Sequence, residues 1–86
     1  MITWEYALLI RRRQVEGQQW RITFAWYDPG GSVQDVTSYG TAVVAQLNRA
    51  GALGWELISA SEDVNNLQGT STEVHRYHFK RQAGQV

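Results

Sequence analysis

Gly51-Ala52-Leu53-Gly54-Trp55-Glu56-Leu57 decides how this chain folds, because within this stretch a helix stops and a core strand begins. Gly51 can take the left-handed conformation that caps a helix, and Gly54 lets the backbone turn before a large indole docks. Upstream, Tyr39, Val43, Val44 and Leu47 fall on one face of a helix that ends near Ala50, with Thr37 or Ser38 as its N-cap. Gly40 weakens the first turn of that helix. Downstream, Trp55 opens a strand that runs to about Ser61. Gly51, Gly54 and Trp55 are therefore the structural anchors of the fold.

On the N-terminal side, Trp4, Tyr6, Leu8 and Ile10 recur at every second position, the period of a strand with one strongly apolar face. Trp20, Ile22, Phe24 and Trp26 repeat the pattern, and the short Arg13 to Gly17 segment between them makes the two runs a hairpin. Keeping the faces together pairs Trp4 with Trp26, Tyr6 with Phe24, Leu8 with Ile22 and Ile10 with Trp20. Asp28-Pro29-Gly30-Gly31 ends the second strand, and Ser32 to Val36 reads as either a short extra strand or a loop. After the third strand, Asp63 to Ser71 is a polar loop; Thr72 to Arg81 is the fourth strand, with Tyr77 and Phe79 on one face and His78 and Lys80 on the other. The expectation is a single α+β domain over residues 1–82, in β-β-α-β-β order, with a mostly antiparallel sheet and one helix on one face. Residues 83–86 form a frayed tail, and strand order is left open.

Trp4-Glu5-Tyr6, Leu47-Asn48 followed by Gly51 and Gly54-Trp55-Glu56-Leu57, and Tyr77 with Phe79-Lys80-Arg81 together bracket nearly the whole chain. In these motifs the sequence resembles the short bacterial domain-of-unknown-function family number 4177. The long second strand and the Asp28 to Gly31 insert are richer than that family's minimal pattern. The resemblance implies a compact sheet with one helix. It carries over no catalytic residue.

Composition excludes several functions. The 86 residues carry 8 Lys+Arg against 8 Asp+Glu, so no net field steers the chain to nucleic acid or an anionic membrane. The absence of cysteine removes disulfides, thiolate catalysis and the usual zinc sites, and is compatible with a reducing cytoplasm. Ala7-Leu8-Leu9-Ile10 is too short for an export signal and is closed by Arg11-Arg12-Arg13, and no segment approaches the ~18 apolar residues that span a bilayer. The reading is a cytoplasmic, membrane-free protein. A chain of this size buries only roughly 60 to 65% of its unfolded surface, so a second copy or a partner would add stability.

Sequence motifs of catalysis are missing. No G-x-x-x-x-G-K-S/T, H-E-x-x-H, G-x-S-x-G or paired-carboxylate arrangement occurs, so no nucleophile or base is nominated and no cofactor is expected. His75 and His78 stand three apart, which on a strand puts them on opposite faces and argues against a shared metal. Strand alternation likewise divides Arg11, Arg12 and Arg13 between faces, which favours a solvated hairpin end over a nucleic-acid site. Lys80 and Arg81 join those arginines only if the first and last strands are neighbours. Gly51-Ala52-Leu53-Gly54 has the spacing of an RNA-binding loop but carries Ala and Leu and leads into a strand.

The aromatic residues carry the functional expectation. A four-stranded sheet of this length presents on the order of 500 Å². A helix of about twelve residues covers roughly 180 Å². An apolar face of the remaining size is unusual on a monomer. The chain is accordingly read as a non-enzymatic interaction or accessory module that self-associates, most simply as a dimer, through an aromatic surface containing Trp4, Trp20 or Trp26; an unidentified protein partner is the related possibility. One alternative is a small-ligand binder with an apolar pocket between the helix, Trp26, the Pro29 loop and Trp55. The other is a weak single-stranded nucleic-acid binder built on the arginine hairpin.

Overall fold

In the computed structural model, which describes residues 2–65 and 72–84, the two ends of the chain meet at the centre of one sheet. The strands are β1 (Trp4–Glu16), β2 (Gln19–Tyr27), β3 (Val33–Asp35), β4 (Glu56–Asn65) and β5 (Thr72–Gln82). A 3₁₀ turn at Thr37–Tyr39 and the helix α1 (Val43–Ala52) separate β3 from β4. The sheet order is β3-β2-β1-β5-β4, and every adjacent pair is antiparallel. The class is α+β, as the sequence predicts, with one helix packed against an antiparallel sheet. The short strand at Val33–Asp35 makes the order β-β-β-α-β-β.

β3 and β4 are opposite edges, so the connection between them crosses about 19 Å of sheet, four strand spacings. A ten-residue helix is about 15 Å long and supplies most of that crossing while covering one face. The helix is shorter than the expected one and starts later. Gly40, at φ 145°, separates the 3₁₀ turn from α1. Thr37 does not cap α1: its Oγ1 accepts the Phe24 N–H at 2.9 Å, and its own N–H donates to Asp35 Oδ1 at 2.9 Å. Ala42 holds the N-cap position without a side-chain bond. The buried Gln46 ties the two helical pieces together, its Nε2 donating to the carbonyls of Val36 at 2.8 Å and Gly40 at 2.7 Å.

The hairpin register differs from the expected one, and the difference inverts β1. Glu16 pairs with Gln19 across a two-residue turn in which Gly17 has φ 65°, and Leu9 therefore lies opposite Trp26 and Val15 opposite Trp20. Relative to pairing Trp4 with Trp26 this is a slip by an odd number of residues, which exchanges the faces of β1. The core consists of Ala7, Leu9, Phe24, Trp26, Val36, Ala50, Trp55 and Phe79, with Ile22, Val43, Leu47 and Tyr77 against it. Trp4, Tyr6, Leu8 and Ile10 are on the opposite side of the sheet. Trp26 lies opposite Leu9 and Phe79 opposite Ala7, so the two rings, with centroids 5.4 Å apart, meet diagonally across β1 on the core side.

The molecule is elongated, with extents of 51 × 23 × 20 Å, because β1 alone is 13 residues long. Beyond the helix, the helix-side face of the sheet carries Val15 and Trp20 together with polar pairs: Arg13 bonds Glu73 at 3.2 Å, and His75 lies 4.0 Å from Glu62. β4 begins one residue after Trp55 and extends through Asp63 to Asn65, past the expected limit of Ser61. The remainder of the expected polar loop, 66–71, lies outside the described residues. At the C-terminus, β5 continues to Gln82, and the Ala83 N–H donates to the Thr3 carbonyl at 3.0 Å.

Candidate functional site

Gly54, not Gly51, is the glycine that turns the chain out of the helix. Gly51 lies inside α1, whereas Gly54 has φ 90°. The Gly54 N–H donates to the Gly51 carbonyl and the Trp55 N–H to the Ala50 carbonyl, each at 3.0 Å. This is the paired-bond helix ending in which a left-handed glycine is followed by an apolar residue packed back on the last turn. Ala50 and Trp55 are both buried, so the ending doubles as a core contact. Trp55, 7% exposed, meets Trp26 edge to face with centroids 5.6 Å apart.

The helix ending, the last turn of α1 and the Pro29 loop enclose a cleft of about 400 Å³, lined by residues that include Trp26, Asp28, Pro29, Arg49, Trp55 and Arg81. Arg81 is fixed in three ways. Its guanidinium lies 4.2 Å over the Trp55 ring, its Nε donates to Glu5 Oε1 at 2.5 Å, and its Nη1 donates to the Leu53 carbonyl at 2.7 Å. Arg49 enters from α1 with its guanidinium 4.0 Å from the Tyr39 ring centroid. Asp28 serves its own loop, because Oδ1 accepts the N–H groups of Gly30 at 3.0 Å and Ser32 at 2.9 Å. Helix, Trp26, Pro29 loop and Trp55 thus converge where the sequence places a pocket. The two arginines were not anticipated there, and Arg81 reaches the cleft only because β5 pairs with β1.

The second surface is the back of the sheet. Strand alternation puts Trp4, Tyr6, Leu8 and Ile10 of β1 on this side with Ala25 and Tyr27 of β2, Val33 of β3 and Val74 of β5. Trp4 is 43% exposed and Tyr6 57%, and no helix packs on this side among the described residues. Lys80 lies 4.5 Å over the Trp4 ring and belongs to the same face.

Trp4, Trp20 and Trp26 do not share one surface. Trp4 is on the back, Trp26 is in the core and the cleft wall, and Trp20, 48% exposed, sits on the helix side near the hairpin tip with the Arg13 guanidinium 3.9 Å over its ring. The basic residues are also dispersed. β1 and β5 are neighbours, but Lys80 and Arg81 lie opposite Tyr6 and Glu5, while Arg11, Arg12 and Arg13 lie opposite His75, Val74 and Glu73. His75 and His78 occupy opposite faces, and among the described residues no group of three or more His, Cys, Asp or Glu is placed to hold a metal ion. The Asp35 carboxyl is held below its ordinary value of 3.8 by the Thr37 hydroxyl, then by the Thr37 backbone N–H, with Arg21 adding to them. No helix among the described residues is long and apolar enough to cross a membrane. The sequence matches no protein-family model and no curated protein, so the resemblance to family number 4177 rests on its short motifs.

Proposed function

We propose that this chain is a non-enzymatic interaction module that forms a two-fold dimer through the back of its sheet. The observation that carries the reading is the apolar group formed by Trp4, Tyr6, Leu8, Ile10, Tyr27 and Val33 on a side where no helix packs among the described residues. None of these side chains belongs to the buried core cluster. Aromatic side chains are enriched in interfaces because they remove large areas from water with few rotatable bonds.

A second copy fits this face better than an edge-to-edge contact. β3 offers only three residues, and β4 is interrupted between Leu57 and Ser59 and carries Glu62 and Asp63, all devices that discourage strand addition. The back face between Trp4 and Ile10 projects on the order of 500 Å². Two copies would bury on the order of 1,000 Å², the lower limit of specific interfaces. Its rim carries both signs, Lys80 opposite Glu56 across the β4–β5 pair, so a two-fold axis can set each against its opposite. The zero net charge leaves little repulsion between copies.

Light scattering tests the reading. At a protein concentration well above a micromolar dissociation constant, on the order of 50 μM, the mass should be twice the 9.8 kDa of one chain. Tyr6→Glu should return it to one chain with the strand and helix signals of circular dichroism retained. A wild-type monomer at that concentration overturns the proposal. So does a dimer indifferent to Tyr6→Glu and Trp4→Glu.

A further inference from the structure

The cleft on the helix side borders the back face at Val33 but is lined by different chemistry. We infer that it binds a small planar carboxylate, its ring against the indoles of Trp26 and Trp55 and its carboxylate at Arg49 and Arg81. The volume of about 400 Å³ is in the lower part of the range of small-molecule sites. Trp26, Pro29, Val33 and Trp55 supply the apolar part of the wall, with the Arg81 guanidinium over the Trp55 ring continuing it as a planar surface.

The charges select the sign of the ligand. Among the described residues Arg49 has no ion pair or hydrogen bond; its guanidinium is only stacked on Tyr39. Arg81 is held through Nε and Nη1, so its orientation is set before any ligand arrives. Preorganisation of this kind lowers the entropy lost on binding. Asp28 in the lining and Glu5 on Arg81 balance one guanidinium each in charge count, so Arg49 supplies the guanidinium that has no carboxylate partner among the described residues. A cationic ligand would meet the guanidinium of Arg49, which has no carboxylate beside it among the described residues. A carboxylate would meet planar donors whose geometry matches its own, which makes a bidentate, charge-assisted contact available.

The test is a pair of isosteres, 2-naphthoate and 2-naphthamide, titrated separately into the ¹⁵N-labelled full chain and followed by its indole and guanidinium N–H signals. Naphthoate should move the Trp26 and Trp55 indole signals saturably, and naphthamide should bind at least about tenfold more weakly, since it lacks the charge. Arg49→Gln, a change on the helix surface that leaves Arg81 and the core intact, should weaken naphthoate by about fivefold or more and leave naphthamide within about twofold. Equal binding of the two compounds overturns the inference, as does a shift confined to Trp4 or Trp20, or an Arg49→Gln variant that binds naphthoate like the wild type. Absence of saturable shifts with naphthoate overturns it as well.

Discussion

Gly51 and Gly54 stand three residues apart, and replacing each by alanine should move stability in opposite directions. Gly51 is helical, and a Cβ built on it meets nothing within 4 Å. Alanine there gains the helix preference over glycine, reduced near the helix end, so Gly51→Ala should stabilise by about 0.5–1 kcal/mol. At Gly54 the same Cβ would have only Arg81 Cδ at 4.0 Å, an ordinary contact, so crowding is not the issue. The backbone is: φ is 90°, where a side chain is disfavoured by about 1–2 kcal/mol. Alanine also stiffens the unfolded chain, which offsets about 0.4–1 kcal/mol of that. Gly54→Ala should therefore destabilise by about 1 kcal/mol. With a urea slope of about 1 kcal/mol/M for a small domain, the two midpoints should separate by about 1.5–2 M. Both variants have to be compared at one protein concentration, because association shifts apparent stability. Midpoints that move in the same direction would show that the Trp55 N–H to Ala50 turn is not what ends the helix.

Trp55→Ala removes a buried indole that meets Trp26 and supports Arg81, and should destabilise by about 3–5 kcal/mol in urea unfolding; a loss below about 1 kcal/mol would mean the ring is not a core anchor. Asp35 has a lowered folded pKa, so the stability it contributes is complete above its ordinary value of 3.8 and disappears as pH falls through the lowered one. Asp35→Asn should flatten the dependence of the urea midpoint on pH below that value, and an unchanged slope would contradict the role of Thr37. Single-stranded DNA should bind only in the non-specific range, roughly 10⁻⁴ to 10⁻⁶ M at physiological salt, because Arg13 is paired with Glu73 and its neighbours are divided between faces. Nanomolar, sequence-selective binding in a filter or anisotropy assay would refute this.

The helix-to-strand junction was legible because its determinants are local: a glycine that turns the chain and an indole that follows it lie within two residues. The cleft was legible in part for the same reason, since Trp26, Pro29 and Trp55 each sit at the end of an element. Arg81 was not, because its place beside Trp55 depends on β5 pairing with β1, a contact across nearly the whole chain. The face of β1 was misread for a different reason. β2 is unambiguous, with Ile22, Phe24 and Trp26 alternating with Arg21, Thr23 and Ala25. Tyr6-Ala7-Leu8-Leu9-Ile10 is apolar on both sides, so periodicity alone ranks the faces by size and selects the wrong one. What decides is the parity of the hairpin turn. An odd loop from Arg13 to Gly17 sets even positions of β1 beside even positions of β2 and takes Trp4 and Tyr6 into the core. The observed turn of Gly17 and Gln18 sets Leu9 beside Trp26 and sends Trp4 and Tyr6 to the open side. The parity of the turn thus separates a register that would take these aromatics into the core from the observed one, which leaves them on the open side of the sheet.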